Sequence, residues 1–231
     1  MKQNFENLKN EILRRAKKAN ACTVQYKRVY TADTLQELMQ VVKDNFYWSC
    51  RNKVIDVELI DKYKDEFNAF DIWANVDVST GYLLASDNAT VTAYGNATVR
   101  AYDNATVTAY GNATVYAYDN ATVYAYDNAT VYAYDNATVY AYDNATVHAY
   151  DNATVTAYGN ATVYAYDNAT VYASGNATVH AYDNATVYAN DNAYVTSFYT
   201  IKCKLSGNAI YRIRESNTIQ YANNDIAFVK Q

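Results

Sequence analysis

An eight-residue unit of the form Asp/Gly-Asn-Ala-Thr-Val-x-Ala-Tyr returns in phase over residues 87–182, and no other property of the chain restricts its fold so strongly. Ala, Val and Ala at positions three, five and seven alternate with Thr, a variable residue and Tyr at positions four, six and eight. That two-residue period belongs to a β-strand with one apolar and one outward face. The Asp-Asn or Gly-Asn pair that remains is turn chemistry, because these residues tolerate positive φ and bond their own backbone. Each unit therefore supplies one strand and one corner, and tandem units stack as a parallel solenoid. Degraded octads over 191–198 and 207–214 keep the phase, which predicts a solenoid running to the last residues.

The glycines that replace Asp set the number of units per coil. Gly95, Gly111, Gly159, Gly175 and Gly207 are all separated by multiples of sixteen, whereas the alternate register holds Asp87, Asp103, Asp119, Asp135, Asp151, Asp167 and Asp183 without exception. Two corners with different surroundings imply 16-residue coils of two octads, hence two parallel sheets back to back. The expected fold class is thus mainly β, a two-sheet parallel β-solenoid preceded by a small α-helical N-terminal cap. Roughly nine coils rising about 4.8 Å each give a rod on the order of 40 Å long. The expected organisation is a helical cap domain over 1–70, an octad solenoid over 71–198, and degenerate final coils over 199–231 that act as a C-terminal cap.

Charge divides the chain in the same place: residues 1–70 carry 13 Lys/Arg against 10 Asp/Glu, and residues 71–231 carry 6 against 14. In the first part Phe5, Leu8, Ile12 and Leu13 share a helical face, with Arg14, Arg15, Lys17 and Lys18 toward the helix C-terminus, where cations suit its dipole. Thr34-Leu35-Gln36-Glu37 is a capping box for a second helix running toward Phe46, and a third is expected from Val54 to Phe67. The basic cluster reads as the solvated face of the first helix rather than a nucleic-acid contact. With neither a signal-peptide pattern nor a membrane span in the N-terminal stretch, the expected location is the cytoplasm, or a phage particle within its host.

Small inward residues bring the two sheets close and leave no interior cavity, so a buried active site in the rod is not expected. His148 and His180 are the only histidines and lie two coils apart, about 10 Å, too far to share a metal or a proton. Cys22, Cys50 and Cys203 form no CxxC pair and read as reduced structural thiols. No catalytic residue, metal site or cofactor is expected. The Asn-Ala-Thr triplets match a glycosylation acceptor only through repetition. Columns of Asn, such as Asn104, Asn120 and Asn136, are expected to stack as amide ladders that satisfy corner backbone groups. Both solenoid ends need covering: by the helices at one end and by a larger inward stripe, Ile201, Cys203 and Leu205, at the other. There Lys202 and Lys204 fall on one sheet and Arg212 and Arg214 on the opposite one, which argues for a cap rather than a basic patch.

The ATVxAY octads followed by Asp/Gly-Asn resemble tandem repeat proteins encoded by bacteria, phages and mobile elements, over 87–198. The helical segment is similar to a domain that accompanies such repeats in gut bacteria. The resemblance implies a solenoid and transfers no catalytic residue.

The outer faces carry the functional expectation. Tyr recurs at position eight from Tyr94 to Tyr166 and again at Tyr182. At position six stand Tyr116, Tyr124, Tyr132, Tyr140, Tyr164 and Tyr172, the candidate binding residues, together with Tyr188. Such rows can stack on sugars, bases or another protein, or simply cover one another and stiffen the sheet. The expected function is a non-enzymatic structural or interaction protein that holds a partner, protein or glycan, through repeated Tyr/Thr faces, with homo-oligomers through those faces a possibility. Direct nucleic-acid binding by the rod, and membrane binding, are not expected. The alternative is an acidic decoy for a DNA-binding enzyme, built on the Asp column, whose adjacent carboxylates repel by roughly 1 kcal/mol even in water and need counterions or another offset. A passive spacer and an ice-binding face at Thr-Val-Thr 90–92, 106–108 and 154–156 are lesser alternatives.

Overall fold

The computed structural model of the chain describes residues 2–222 and 226–228. Six short helices come first: α1 (Lys2–Lys18), α2 (Thr23–Thr31), α3 (Leu35–Asp44), α4 (Phe46–Arg51), α5 (Val57–Lys62) and α6 (Lys64–Asn68). Leu8, Ile12, Leu13 and Ala16 bury the expected face of α1, and Arg15 is tied to Glu11 and, at 2.6 Å, to Asp56. Thr34 caps α3 by accepting the Glu37 N–H at 3.2 Å, while the Glu37 carboxylate reaches back to the Asp33 N–H. The expected second helix ends earlier than Phe46, because Asn45 leaves helical geometry at φ −120° and a new helix starts beyond it. The third is split into α5, capped by the Asp56 carboxylate, and α6. The sequence reading had no counterpart to α2, whose single buried residue, Val29, leaves almost no apolar period to detect. No described helix is long and apolar enough to cross a membrane.

The remainder is a parallel β-solenoid. After β1 (Ile72–Ala74) and β2 (Tyr82–Ala85), strands β3 (Thr90–Ala93) to β15 (Thr186–Ala189) are the Thr-Val-x-Ala of successive octads, followed by β16 (Tyr194–Ser197), β17 (Lys202–Leu205) and β18 (Ile210–Ile213). Alternate strands enter opposite sheets. Sheet A takes β1 and the even-numbered strands to β18; sheet B takes the odd-numbered strands β3 to β17. Register is strictly sixteen residues, as in Val131↔Val147 and Val155↔Val171. Ala and Val at positions three, five and seven point inward, and every such residue from Ala97 to Val195 is at most 3% exposed. Small side chains at this density join the two sheets into one continuous apolar seam.

Backbone pairing is complete at the corners. Asn104 N–H bonds the Asp87 carbonyl one coil below, Thr106 N–H the Ala89 carbonyl, and Ala105 N–H closes a turn onto Tyr102. Position one carries the positive φ, 51–60° across the seven column Asp residues. Where the coil above holds Asp, that carboxylate accepts its N–H, as in Asp103 N–H to Asp119 Oδ2 at 3.2 Å and Gly111 N–H to Asp127 Oδ2 at 2.9 Å. Each column carboxylate from Asp103 to Asp183 thus sits on a backbone donor, and that partial positive charge offsets repulsion along the column. The expected role of Asn changes accordingly. Amide ladders do form, at Asn104–Asn88 and along Asn160, Asn176, Asn192 and Asn208, but Asp, not Asn, takes the corner N–H through its side chain. Asp119→Ala is expected to cost about 1–2 kcal/mol, combining the lost acceptor with alanine strained at positive φ, whereas Asp119→Asn should stay within about 0.5 kcal/mol. Urea unfolding of the two variants checks the difference.

The phase does not carry the solenoid to the last residues, and that expectation is corrected. After Ile213 the chain turns back, and β19 (Thr218–Tyr221) pairs antiparallel with β18, then β20 (Ile226–Phe228) with β19. The Arg214–Asn217 turn has the four residues of a solenoid corner, but its positive φ, 50°, falls at the fourth residue, Asn217, rather than at the second, and the chain doubles back as a hairpin. Sheet B accordingly counts eight coil strands rather than nine. Ile201, Cys203 and Leu205 pack against the end of the seam. Tyr211 occupies the place of an inward Val, 1% exposed, and its hydroxyl meets Ser197 Oγ at 2.7 Å and the Ile201 N–H at 3.0 Å. Lys202 and Lys204 lie on sheet B, Arg212 and Arg214 beside sheet A.

At the other end the helices do more than cover edge strand β1. Their core takes in Ile72, Ala74 and the outward Leu84, with Tyr82 and Tyr102 packed against it, so the helical region leans over the outer face of sheet A.

Candidate binding surfaces

Strand geometry alone stacks like positions of successive coils about 4.8 Å apart, close to the thickness of an offset aromatic pair. On sheet A this produces two parallel ladders. Tyr102, Tyr118, Tyr134, Tyr150, Tyr166 and Tyr182 stack with ring centroids 4.8–5.0 Å apart and planes within 13°. Beside them run Tyr116, Tyr132, His148, Tyr164 and His180 at 4.8–4.9 Å. The histidines take the place of phenols in the stack, and burial between neighbours lowers the pKa of both. On sheet B the position-eight ladder runs from Tyr94 to Tyr158, and two pairs stand at position six, Tyr124–Tyr140 and Tyr172–Tyr188, each at 5.0 Å.

Of the candidate binding residues, Tyr116, Tyr132 and Tyr164 are therefore sandwiched, with ring faces covered and edges outward. Tyr124 and Tyr140 each keep one face toward a Thr, Thr108 and Thr156 respectively. Tyr172 is 46% exposed. The six stand in two columns on opposite sheets, Tyr116, Tyr132 and Tyr164 on sheet A and Tyr124, Tyr140 and Tyr172 on sheet B. The seven column Asp residues line the edge between the Tyr102–Tyr182 ladder and sheet B. Asp87, Asp103, Asp119 and Asp135 face a groove of about 550 Å³ closed on its far side by Arg51, Lys53, Asp56 and Glu58. A second groove of about 410 Å³ continues from it along Tyr47, Arg100, Tyr116 and Tyr134.

Three contributors to these surfaces were not anticipated. The Arg100 guanidinium lies 3.5 Å from the centre of Tyr116 and ends the position-six ladder; an arginine where the other octads hold Tyr, Thr or His was the available signal. Tyr47 stacks on Tyr118 at 5.7 Å, and Arg51 donates to the Tyr47 hydroxyl at 2.6 Å; both come from a helical region with no repeat to place them. Burial pushes the phenols of Tyr102 and Tyr118 and the thiol of Cys50 upward, and that of Cys203 up to about 12, so these groups are neutral at ordinary pH. Among the described residues no three His, Cys, Asp or Glu side chains converge as a metal-ligand set.

Fold and surface together define a class: a two-sheet parallel β-solenoid that presents aromatic ladders on both faces and leads with a helical region. Comparison of the chain with protein-family models, with curated proteins and with solved structures returns no match.

Proposed function

We propose that the chain is a non-enzymatic interaction rod that holds a protein or glycan partner by many weak contacts to its Tyr/Thr faces. The supporting observation is the uneven exposure of its tyrosines. Rings inside the ladders cover one another, whereas among the described octads Tyr94, Tyr158, Tyr172 and Tyr188 stand out at 40–47% exposure, all four on sheet B. One broad face of the rod therefore offers free aromatic surface beside rows of Thr hydroxyls, the combination that proteins use where one side of a contact is apolar and the other wet.

The acidic-decoy reading ranks below it. The column carboxylates from Asp103 onward are engaged by backbone N–H groups, and the first four of the column share their groove with Arg51 and Lys53 rather than facing an open approach. Capture from bacterial lysate separates the two readings, using the intact chain, a variant with Tyr94, Tyr158, Tyr172 and Tyr188 changed to Thr, and one with the seven column Asp changed to Asn. Circular dichroism establishes that all three fold alike. Capture lost only in the Tyr variant is the expected result. Capture lost only in the Asn variant, at low salt, overturns the reading in favour of a decoy, and an intact rod that retains nothing leaves a spacer.

A further inference from the structure

The aromatic surface of sheet B narrows from two columns to one part way up the rod. In the lower coils position eight holds Tyr94, Tyr110, Tyr126, Tyr142 and Tyr158; in the next three coils it holds Ser174, Asn190 and Ser206. At position six Tyr124 and Tyr140 are followed by Thr156, and rings return at Tyr172 and Tyr188 before Lys204. These interruptions leave a notch of about 330 Å³ between Tyr158, Tyr172 and Tyr188, with Thr156, Ser174, Asn190, Ser206 and Lys204 around it. Tyr158 stacks below on Tyr142 at 5.2 Å, and on its other side the next coil supplies Ser174 in place of a ring. Tyr172 stacks above on Tyr188 and meets Thr156 below, and the three tyrosines are 40%, 46% and 40% exposed.

We infer that this notch is a carbohydrate-binding site, taking a short run of pyranose units with their C–H faces on Tyr158, Tyr172 and Tyr188. The inference rests on the reading of the Tyr/Thr face as a binding surface and names its ligand class. The opening above Tyr158 is one missing ladder ring, a slab about 4.8 Å thick, and repeats over three coils, so it is elongated along the rod and suited to a chain of flat rings. Its walls are aromatic faces, while its floor is hydroxyl and amide: Ser206 Oγ donates to Asn190 Oδ1 at 3.0 Å, with Ser174 and Thr156 beside them. That mixture matches a sugar, which is apolar on its ring face and polar around its rim, better than a wholly apolar ligand. The cavity is open and shallow, and Lys204 supplies its only cation, placed to receive a sugar carboxylate at the upper end.

The test uses the full chain with two defined probes, a neutral β-1,4-linked glucose tetramer and an α-1,4-linked galacturonate tetramer, followed by saturation-transfer NMR and titration. Ser174→Tyr is the decisive variant, because it continues the Tyr158 ladder with the residue that other octads already hold there and fills the slot without asking the fold for anything new. Binding of either probe to the intact chain, weakened about tenfold or more by Ser174→Tyr and by Tyr172→Thr but unchanged by Tyr164→Thr on the opposite sheet, is the expected result. Selective loss of the galacturonate probe on Lys204→Gln assigns the cation its role. The inference is overturned if neither probe binds, or if Ser174→Tyr leaves binding intact. Failure of both probes while Tyr-dependent capture from lysate persists removes the sugar and keeps the interaction face; failure of both experiments removes the face as well.

Discussion

Tyr211→Ala is expected to lower the stability of the chain by about 3–5 kcal/mol, the range for deleting a large, fully buried aromatic side chain. Tyr211 is the bulkiest fully buried residue and stands where other octads have Val, so it fills the end of the inter-sheet seam next to Val195. Its hydroxyl also organises the last corner, meeting Ser197 and accepting the Ile201 N–H. Tyr211→Phe retains the packing but leaves that donor unpartnered, at a cost of about 1–3 kcal/mol. Urea unfolding of the pair separates packing from hydrogen bonding. Because coils contact only their neighbours, amide exchange should quicken first in the final coils and leave residues 98–149 protected. Uniform loss of protection would show that the rod unfolds as one unit and contradict a local role for Tyr211.

A charge in the middle of the seam should be worse still. Val131→Asp is expected to cost about 4 kcal/mol or more, since the site is 0% exposed, is flanked in its column by Val115 and Val147, and has no polar group inside the seam to receive a carboxylate. Val131→Ala removes the methyl groups without adding charge and should cost about 2–3 kcal/mol. The comparison tests whether the close approach of the sheets depends on apolar contact as well as on the backbone ladder. Thermal unfolding followed by circular dichroism reads both. A Val131→Asp variant as stable as Val131→Ala would mean that the strands part locally and admit water, contrary to a dry interior.

How much of this was legible depends on whether a residue acts through the repeat or against it. Strand, corner, inward face and two-octad coil follow from the octad and the glycine spacing, because a two-residue period and a 16-residue register leave little freedom. The Thr34 cap was legible for the same reason: its partners lie within three residues. What the sequence reading missed acts at a distance. The third expected helix breaks at Tyr63 into α5 and α6, whose Leu59, Ile60 and Phe67 are buried in the helical core together with β1, a use of their apolar faces that local propensity does not encode. The carboxylate bond to the N–H sixteen residues back needs the coil to exist before the two groups meet.

The same division holds for the binding surfaces. The rows of Tyr, the unbroken Asp column and the interruptions at Ser174, Asn190 and Ser206 are written in the sequence, since a perfect repeat turns position directly into place. Tertiary structure alone decided which ring faces stay free. Stacking at the strand spacing covers the interior of each ladder, the helical region lays Tyr47 and Arg51 over the first coils of sheet A, and the interruptions at Thr156 and Ser174 on sheet B leave Tyr172 and Tyr158 each with one face toward a small side chain. Exposure is a property of neighbours one coil away or one domain away. A period can specify where a side chain stands, but only the packed chain determines what stands beside it.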